Sequence, residues 1–277
     1  MTCYLHFIHN TLPSRGKPGF SCLQKVQPVL SVIKERCLAV YKPHCQVAID
    51  EAMIPFKGRS SMKQYQPKKP VKRGFKVWCL DDALNGFFCD FDVYVGTTGE
   101  SPELLLGERV VLKLTESIQG HCHQLYVDNF FTSFPLFATL LSRQIYAVGT
   151  VRTNRKHFPS DLQGVSRMKR GEFAFRQSGN LVVTTWQDKK TVTMAATMCQ
   201  PNATTMVQRR QKDGSSMMVP CPESVVMYNQ YMGGVDRGDQ LRGYYHVRLK
   251  CVKNYKYTGF CLSSSHECIH TSLHSTH

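Results

Sequence analysis

No apolar run in this 277-residue chain approaches the roughly 18 residues that span a bilayer, so no membrane-crossing helix is expected. The first twenty residues, "MTCYLHFIHNTLPSRGKPGF", lack a charged lead followed by an apolar stretch. That argues against a secretory signal, and an intracellular location is the expectation. The twelve cysteines are scattered and contain no C-x-x-C pair. A disulfide scaffold is therefore not expected; reduced, mostly buried thiols are. There is no internal repeat and no low-complexity tract. Acidic residues are in short supply, 20 Asp plus Glu against 35 Lys plus Arg.

What is present describes a folded, basic protein. A hydrophobic content of 42% with 10% aromatics excludes a disordered chain, and the length suits one large or two modest domains. A net charge of +15 attracts polyanions, nucleic acid before anionic membrane. The charge is clustered. Residues 57–76, "KGRSSMKQYQPKKPVKRGFK", carry eight bases and no acid; residues 152–170 carry six bases and one acid. Interleaved Tyr65, Phe75, His157 and Phe158 make these runs resemble phosphate-contacting surfaces more than simple solvated loops. Lys57, Arg59, Lys63, Lys68, Lys69, Lys72, Arg73, Lys76, Arg155 and Lys156 are the candidate DNA contacts.

Local patterning alternates strands and helices. Val26, Val29, Leu30, Ile33, Cys37 and Leu38 recur at helical spacing after a Gly/Pro-rich loop, with Pro28 near the helix start. "CQVAID" (45–50) reads as a short strand ending on Asp50. "FKVWCLDDALNGFFCDFDVYVG" reads as a hairpin about Asn-Gly, with Asp81 and Asp82 as turn formers. A helix capped by Ser101 follows, then a strand in "HQLYVDNFF" with Asp128 near its end. "TSFPLFATLLSRQ" suggests a helix and "IYAVGTVR" another strand. "HCH" (121–123) lies just ahead of a strand and reads as a turn. Residues 153–221 are β-rich, and a helical pattern resumes at Pro222. This order predicts a mixed α/β fold, whose functional groups gather at strand ends.

Asp236 and Asp239 lie three apart in "YNQYMGGVDRGDQLRGYY", on one face of the expected helix. Such a pair suits a solvated face with Asp–Arg pairs; equally, converging aspartates repel unless hard cations sit between them. Two Mg²⁺ or Mn²⁺ ions about 3.5–4 Å apart would activate a nucleophile and stabilise a leaving oxygen in phosphodiester chemistry. Asp50, Asp128, Asp236 and Asp239 are the candidate catalytic and metal-binding residues.

Four blocks, "IDEAMIPFKGR" (49–59), "QPKKPVKRGFKVW" (66–78), "LYVDNFFTSFPLF" (125–137) and "MGGVDRGDQLRGYYHVRLK" (232–250), resemble the piggyBac family of DDE transposases. They occur in family order and frame most of residues 4–257. The resemblance implies an RNase H-like mixed-sheet catalytic core interrupted by a β-rich insertion domain. It implies metal-dependent DNA nicking, hairpin formation and strand transfer at TTAA-type sites, two Mg²⁺ or Mn²⁺ ions, a DNA partner, a homodimer and a nuclear location. Asp50, Asp128 and Asp236 match the three catalytic aspartates. Asp239 matches the additional acidic position, as a ligand or as a group orienting Asp236. Arg237 and Arg242 stand beside them for phosphate.

The implied division is a remnant of an N-terminal helical region (1–44), a first core part (45–152), the insertion (153–221), a helix with the third aspartate (222–257) and a divergent tail (258–277). The tail's Cys261, His266, Cys268, His270, His274 and His277 match no usual structural zinc spacing. Three functional readings stand: a catalytic transposase core, a domesticated DNA-binding protein that no longer cuts, and a decayed fragment.

Overall fold

A computed structural model describes residues 12–96, 106–163 and 168–244. Ser101 and the tail cysteines and histidines lie outside the described residues. By contacts the chain divides into two compact units: residues 1–43, 50–104 and 234–277, and residues 44–49 and 105–233.

The first unit is built about β3 (Arg73–Asp82), which pairs antiparallel with β2 (Lys63–Tyr65) and β4 (Phe88–Val93). Along its second half β1 (Gln46–Pro55) also lies beside β3. Helix α1 (Gln27–Val40) starts with Pro28 in its first turn and buries Leu30, Ile33 and Cys37, the expected spacing. Leu38 departs from the expected stripe and is exposed. Lys34 on α1 pairs with Asp90 on β4 at 2.7 Å, and the Tyr41 ring stacks on Phe87 at 4.0 Å.

The expected hairpin forms between β3 and β4, with Gly86 in the left-handed region at φ +77. Asp82 is a turn former: its carbonyl accepts from the Gly86 amide at 2.8 Å and its Oδ1 from the Leu84 amide at 2.9 Å. Asp81 is not. It is the penultimate residue of a strand that is buried through its last six residues, and it is 1% exposed. The strand holding Asp50 also runs further than expected, through Glu51 to Pro55.

In the second unit, the first four residues of β1 pair in parallel with β5 (Gln124–Val127), and β5 pairs in parallel with β6 (Tyr146–Thr150). Parallel neighbours need a crossover, here α3 (Phe134–Ser142). Ser133 caps that helix, accepting from the Leu136 amide at 3.2 Å, with Pro135 in the first turn. Helix α2 (Leu106–Leu114) and a 3-10 turn precede β5. Residues 121–122 form the turn ahead of β5, as expected of "HCH".

The β-rich segment contains β7 (Phe173–Ser178), β8 (Leu181–Gln187), β9 (Thr191–Ala196) and the ribbon β10 (Thr204–Arg210) with β11 (Ser216–Pro222). Because β9 pairs antiparallel with β6, these strands continue the sheet in the order β5-β6-β9-β8-β7. Trp186, Tyr126, Val148 and Cys221 form its core with Val225 of α4 (Glu223–Tyr231). The Trp186 indole donates to the Pro220 carbonyl at 2.9 Å, giving its one polar group a partner. The helical pattern expected from Pro222 is two helices, α4 and α5 (Gly234–Tyr244), separated at Met232 and Gly233. Among the described residues no helix is long and apolar enough to cross a membrane.

Candidate active site

Asp236 and Asp239 lie in the first turns of α5, whose seat is set by the absence of a side chain at Gly238. A Cβ there would stand 2.7 Å from Asp81 Oδ2 and 2.9 Å from the Gly86 carbonyl oxygen, closer than real Cβ atoms approach. Arg237 fixes the same turn from outside by donating to the Leu84 carbonyl. Asp236 stays exposed, whereas Asp239 turns inward and pairs with Arg242. Burial pushes the Asp239 carboxyl above its ordinary range and Asp236 adds to that. Arg242, Lys69 and a hydrogen bond with the Met53 backbone on β1 oppose it.

Asp50 is half-buried on β1. Its Oδ1 accepts from the Glu51 amide at 2.7 Å, and its Oδ2 faces the Lys69 ammonium at 3.6 Å. Lys69 also donates to the Glu51 carbonyl at 3.0 Å, while the Glu51 carboxylate pairs with Lys76. Burial works against the charge on Lys69. The carboxylates of Asp50, Glu51, Asp236 and Asp239 outweigh that cost and hold the ammonium above the ordinary lysine value. Acids from β1 and α5 therefore share one cation from the loop between β2 and β3.

Below them lies a group whose burial the sequence did not announce. Burial pushes the Asp81 carboxyl well above the usual carboxylate range, and Asp239 and Asp50 raise it further against the opposing Arg242. Its Oδ1 has no hydrogen-bond partner among the described residues. Burial of this kind favours the neutral acid, because an isolated buried charge is far costlier than a buried neutral acid.

Asp128 belongs to the second unit, directly after Val127, the last paired residue of β5. Its Oδ1 accepts from the Phe130 amide at 2.8 Å, and its carbonyl accepts from the Thr132 hydroxyl at 2.9 Å. Gly149 lets β6 pass close to this turn: a Cβ would stand 2.3 Å from Thr132 Oγ1. The turn is further tied by Arg155, which donates to the Asn129 and Phe130 carbonyls at 2.5 and 3.0 Å, and by Arg152, which donates to Asn129 Oδ1 at 2.8 Å.

The twelve candidate phosphate contacts thus separate by orientation. Lys57, Arg59, Lys68, Lys72, Arg73 and Lys156 are exposed. Arg73 lies over the exposed Tyr65 ring at 5.1 Å. Lys63 is half-buried and donates to the Gly58 carbonyl at 2.9 Å. Lys69, Lys76, Arg155 and Arg242 turn inward to protein acceptors, as does the exposed Arg237 through Leu84. Glu51 and Asp81 were missed as members of the acidic group. The only available signal was their adjacency to Asp50 and Asp82.

Among the described residues no three His, Cys, Asp or Glu side chains form a ready-made metal cluster. The donor chemistry nevertheless suits a hard divalent cation: Asp50, Asp236 and Asp239 offer only oxygen, and they already attract a cation, Lys69.

A family model described as Transposase IS4 matches residues 2–265. PiggyBac transposable element-derived protein 3 of Homo sapiens is 34% identical over 242 residues, 83% of this chain and 40% of that protein. PiggyBac transposable element-derived protein 2 of Homo sapiens is 27% identical over 278 residues, 95% of this chain and 45% of that protein. Among solved structures, a cryo-EM piggyBac transposase synaptic complex with hairpin DNA superposes with TM-score 0.73 at 25% identity, covering 91% of this chain and 53% of that one. The mixed parallel and antiparallel sheet is of the RNase H-like type expected. The chain spans less than half the length of both curated relatives.

Proposed function

The chain belongs to the piggyBac group of the Transposase IS4 family, and on that premise we propose that it carries a DDE site for cleaving and joining DNA phosphodiesters. The observation that supports this reading is Lys69: its ammonium stands 3.6 Å from Asp50 Oδ2 on β1, and the charges of Asp236 and Asp239 on α5 help to hold it above the ordinary lysine value. Asp50 and Asp236 would hold Mg²⁺ or Mn²⁺. Asp239 would hold it directly or fix Asp236, its carboxyl already positioned by Arg242. Asp128, matched by its "YVDNF" motif, is the remaining proposed ligand. When bound, a pair of such ions supplies an activated nucleophile and stabilises the leaving oxygen.

The remaining residues bind and orient. Lys57, Arg59, Lys68, Lys72, Arg73 and Lys156, turned to solvent, would neutralise DNA phosphates. The solved relative is a complex with hairpin DNA, which makes DNA the partner of choice here. TTAA-type targets, a homodimer, a nuclear location and the segment division given above belong to the same reading. So does the assignment of residues 153–221 as an insertion.

The test is a Mn²⁺ titration by calorimetry of the wild type with Asp50→Asn, Asp128→Asn and Asp236→Asn. Binding in the wild type that each substitution weakens is the expected result. Equal, negligible binding in all four proteins would remove the metal site from the reading. A second reading, a DNA-binding protein that does not cut, is favoured by the exposed bases alone. It predicts salt-dependent DNA binding that Asp128→Asn leaves unchanged and no nicking with either metal.

A further inference from the structure

The basic run 57–76 has the composition of a phosphate-binding loop, yet one of its lysines does something else. Gln66 and Lys72 close the loop between β2 and β3 by an amide-to-carbonyl bond of 2.8 Å, and Lys69 lies inside it. Its neighbour Lys68 points to solvent, whereas Lys69 folds back over β1. There the ammonium donates to the Glu51 carbonyl at 3.0 Å and stands 3.6 Å from Asp50 Oδ2.

Four carboxylates, those of Asp50, Glu51, Asp236 and Asp239, act on this ammonium. Among the described residues Glu51 pairs with Lys76 and Asp239 with Arg242, while Asp50 faces Lys69, whose ammonium Asp236 and Asp239 also attract. A lysine meant only for phosphate would gain by staying in water. Folding it back costs desolvation and side-chain freedom, which only the attraction of several acids offsets.

We propose that Lys69 is a tethered counter-ion of the acid site, holding Asp50 and the α5 aspartates together without a divalent ion and competing with that ion for them. This rests on the metal reading above. A divalent cation carries twice the charge and coordinates several oxygens at once, so it displaces the ammonium rather than sharing the acids with it. The released side chain sits on a loop whose other lysines already face solvent, where a DNA phosphate is its natural next partner. Lys69 is a positioning residue in this scheme, not a catalytic one.

The test is carried out on the full chain with Lys69→Met, which keeps the aliphatic stem, and Lys69→Arg, which keeps the charge. First, melting in EDTA is compared for wild type, Lys69→Met, Asp50→Asn and the double variant. Lys69→Met is expected to lower the Tm by a few degrees. In the Asp50→Asn background it is expected to cost clearly less. Lys69→Arg should melt near wild type.

Second, Mn²⁺ calorimetry is expected to show roughly three- to tenfold tighter binding by Lys69→Met, because one competing charge is gone. A merely structural lysine would loosen the site and weaken binding instead. Mn²⁺ binding that is unchanged or weakened in Lys69→Met, or additive melting losses in the cycle, overturns the proposal. Coupled melting losses with no Mn²⁺ binding by the wild type would overturn the competition and the metal reading together, and leave the counter-ion standing.

Discussion

The two units handle clustered charge in opposite ways. In the second unit Asp188 stands under two arginines: Arg170 reaches its Oδ1 at 2.7 Å and Arg209 its Oδ2 at 3.2 Å. Arg209 also lies over the Trp186 ring at 5.8 Å, so the network is tied into the sheet's core. One acid has two cations. Among the described residues of the first unit the ratio is reversed: Asp50, Glu51, Asp236 and Asp239 lie about Lys69, Lys76 and Arg242, above a buried Asp81 whose Oδ1 has no hydrogen-bond partner there. A saturated acid braces a fold. A group of acids in excess of its cations is kept at a cost in stability, which makes sense where a further cation is to be taken up.

That contrast can be broken by experiment. On the proposed DDE reading, Asp50→Asn should lower metal-dependent DNA nicking a hundredfold or more, since metal ligation contributes several kcal/mol to a developing transition state. The same substitution should leave the metal-free melting temperature about equal, the lost Lys69 contact being offset by relief of repulsion among the acids. Nicking assays beside melts in EDTA check both halves, and a fall in both would make Asp50 a brace like Asp188.

In the second unit the outcome should invert. Asp188→Ala is expected to cost about 1–3 kcal/mol, because Arg170 and Arg209 lose their shared acceptor. Chemical denaturation reads this, while Mn²⁺ affinity stays unchanged.

Asp81 sharpens the comparison through pH. Its carboxyl is raised in the folded protein, so the folded state keeps a proton that the unfolded chain releases above about pH 4. Stability from this group is thus lost as pH rises from that point toward the folded-state value. Asp81→Asn removes the loss: its melting temperature relative to wild type should climb between pH 4 and pH 7. A flat difference would mean that Asp81 is ionised in the fold.

The smallest effect concerns the outward-facing bases. Lys68→Ala should weaken DNA binding modestly at every sequence and reduce the salt slope by about one phosphate contact. Lys76→Ala, which removes a base committed to Glu51, should leave the slope alone.

Much of this architecture could be read from the chain. Helix α1, the β3–β4 hairpin at Asn-Gly, α3 behind Ser133 and the strand before Asp128 follow from period, caps and turn chemistry, which are local. The continuation of β1 through Asp50 and Glu51 was not legible, because two adjacent acids interrupt the apolar run. Nor was β2, three residues inside a basic loop with no buried face of its own. At the site, motif resemblance pointed to the four aspartates. That Lys69 turns inward while Lys68 does not, and that Asp81 is sealed from water, depends on how β1, β3 and α5 stack. A one-dimensional pattern does not record that.

Gly238 sits between the two α5 aspartates in the chain and rests on Asp81 and the Gly86 carbonyl. The height at which those acids stand is therefore set from underneath, by a contact that belongs to neither of them. If the proposed metal site holds, exchanging one acid for another on an unmoved helix would do little to retune which divalent ion it takes. The adjustable part is the floor formed by Asp81 and the Gly86 carbonyl, whose height carries both aspartates with α5.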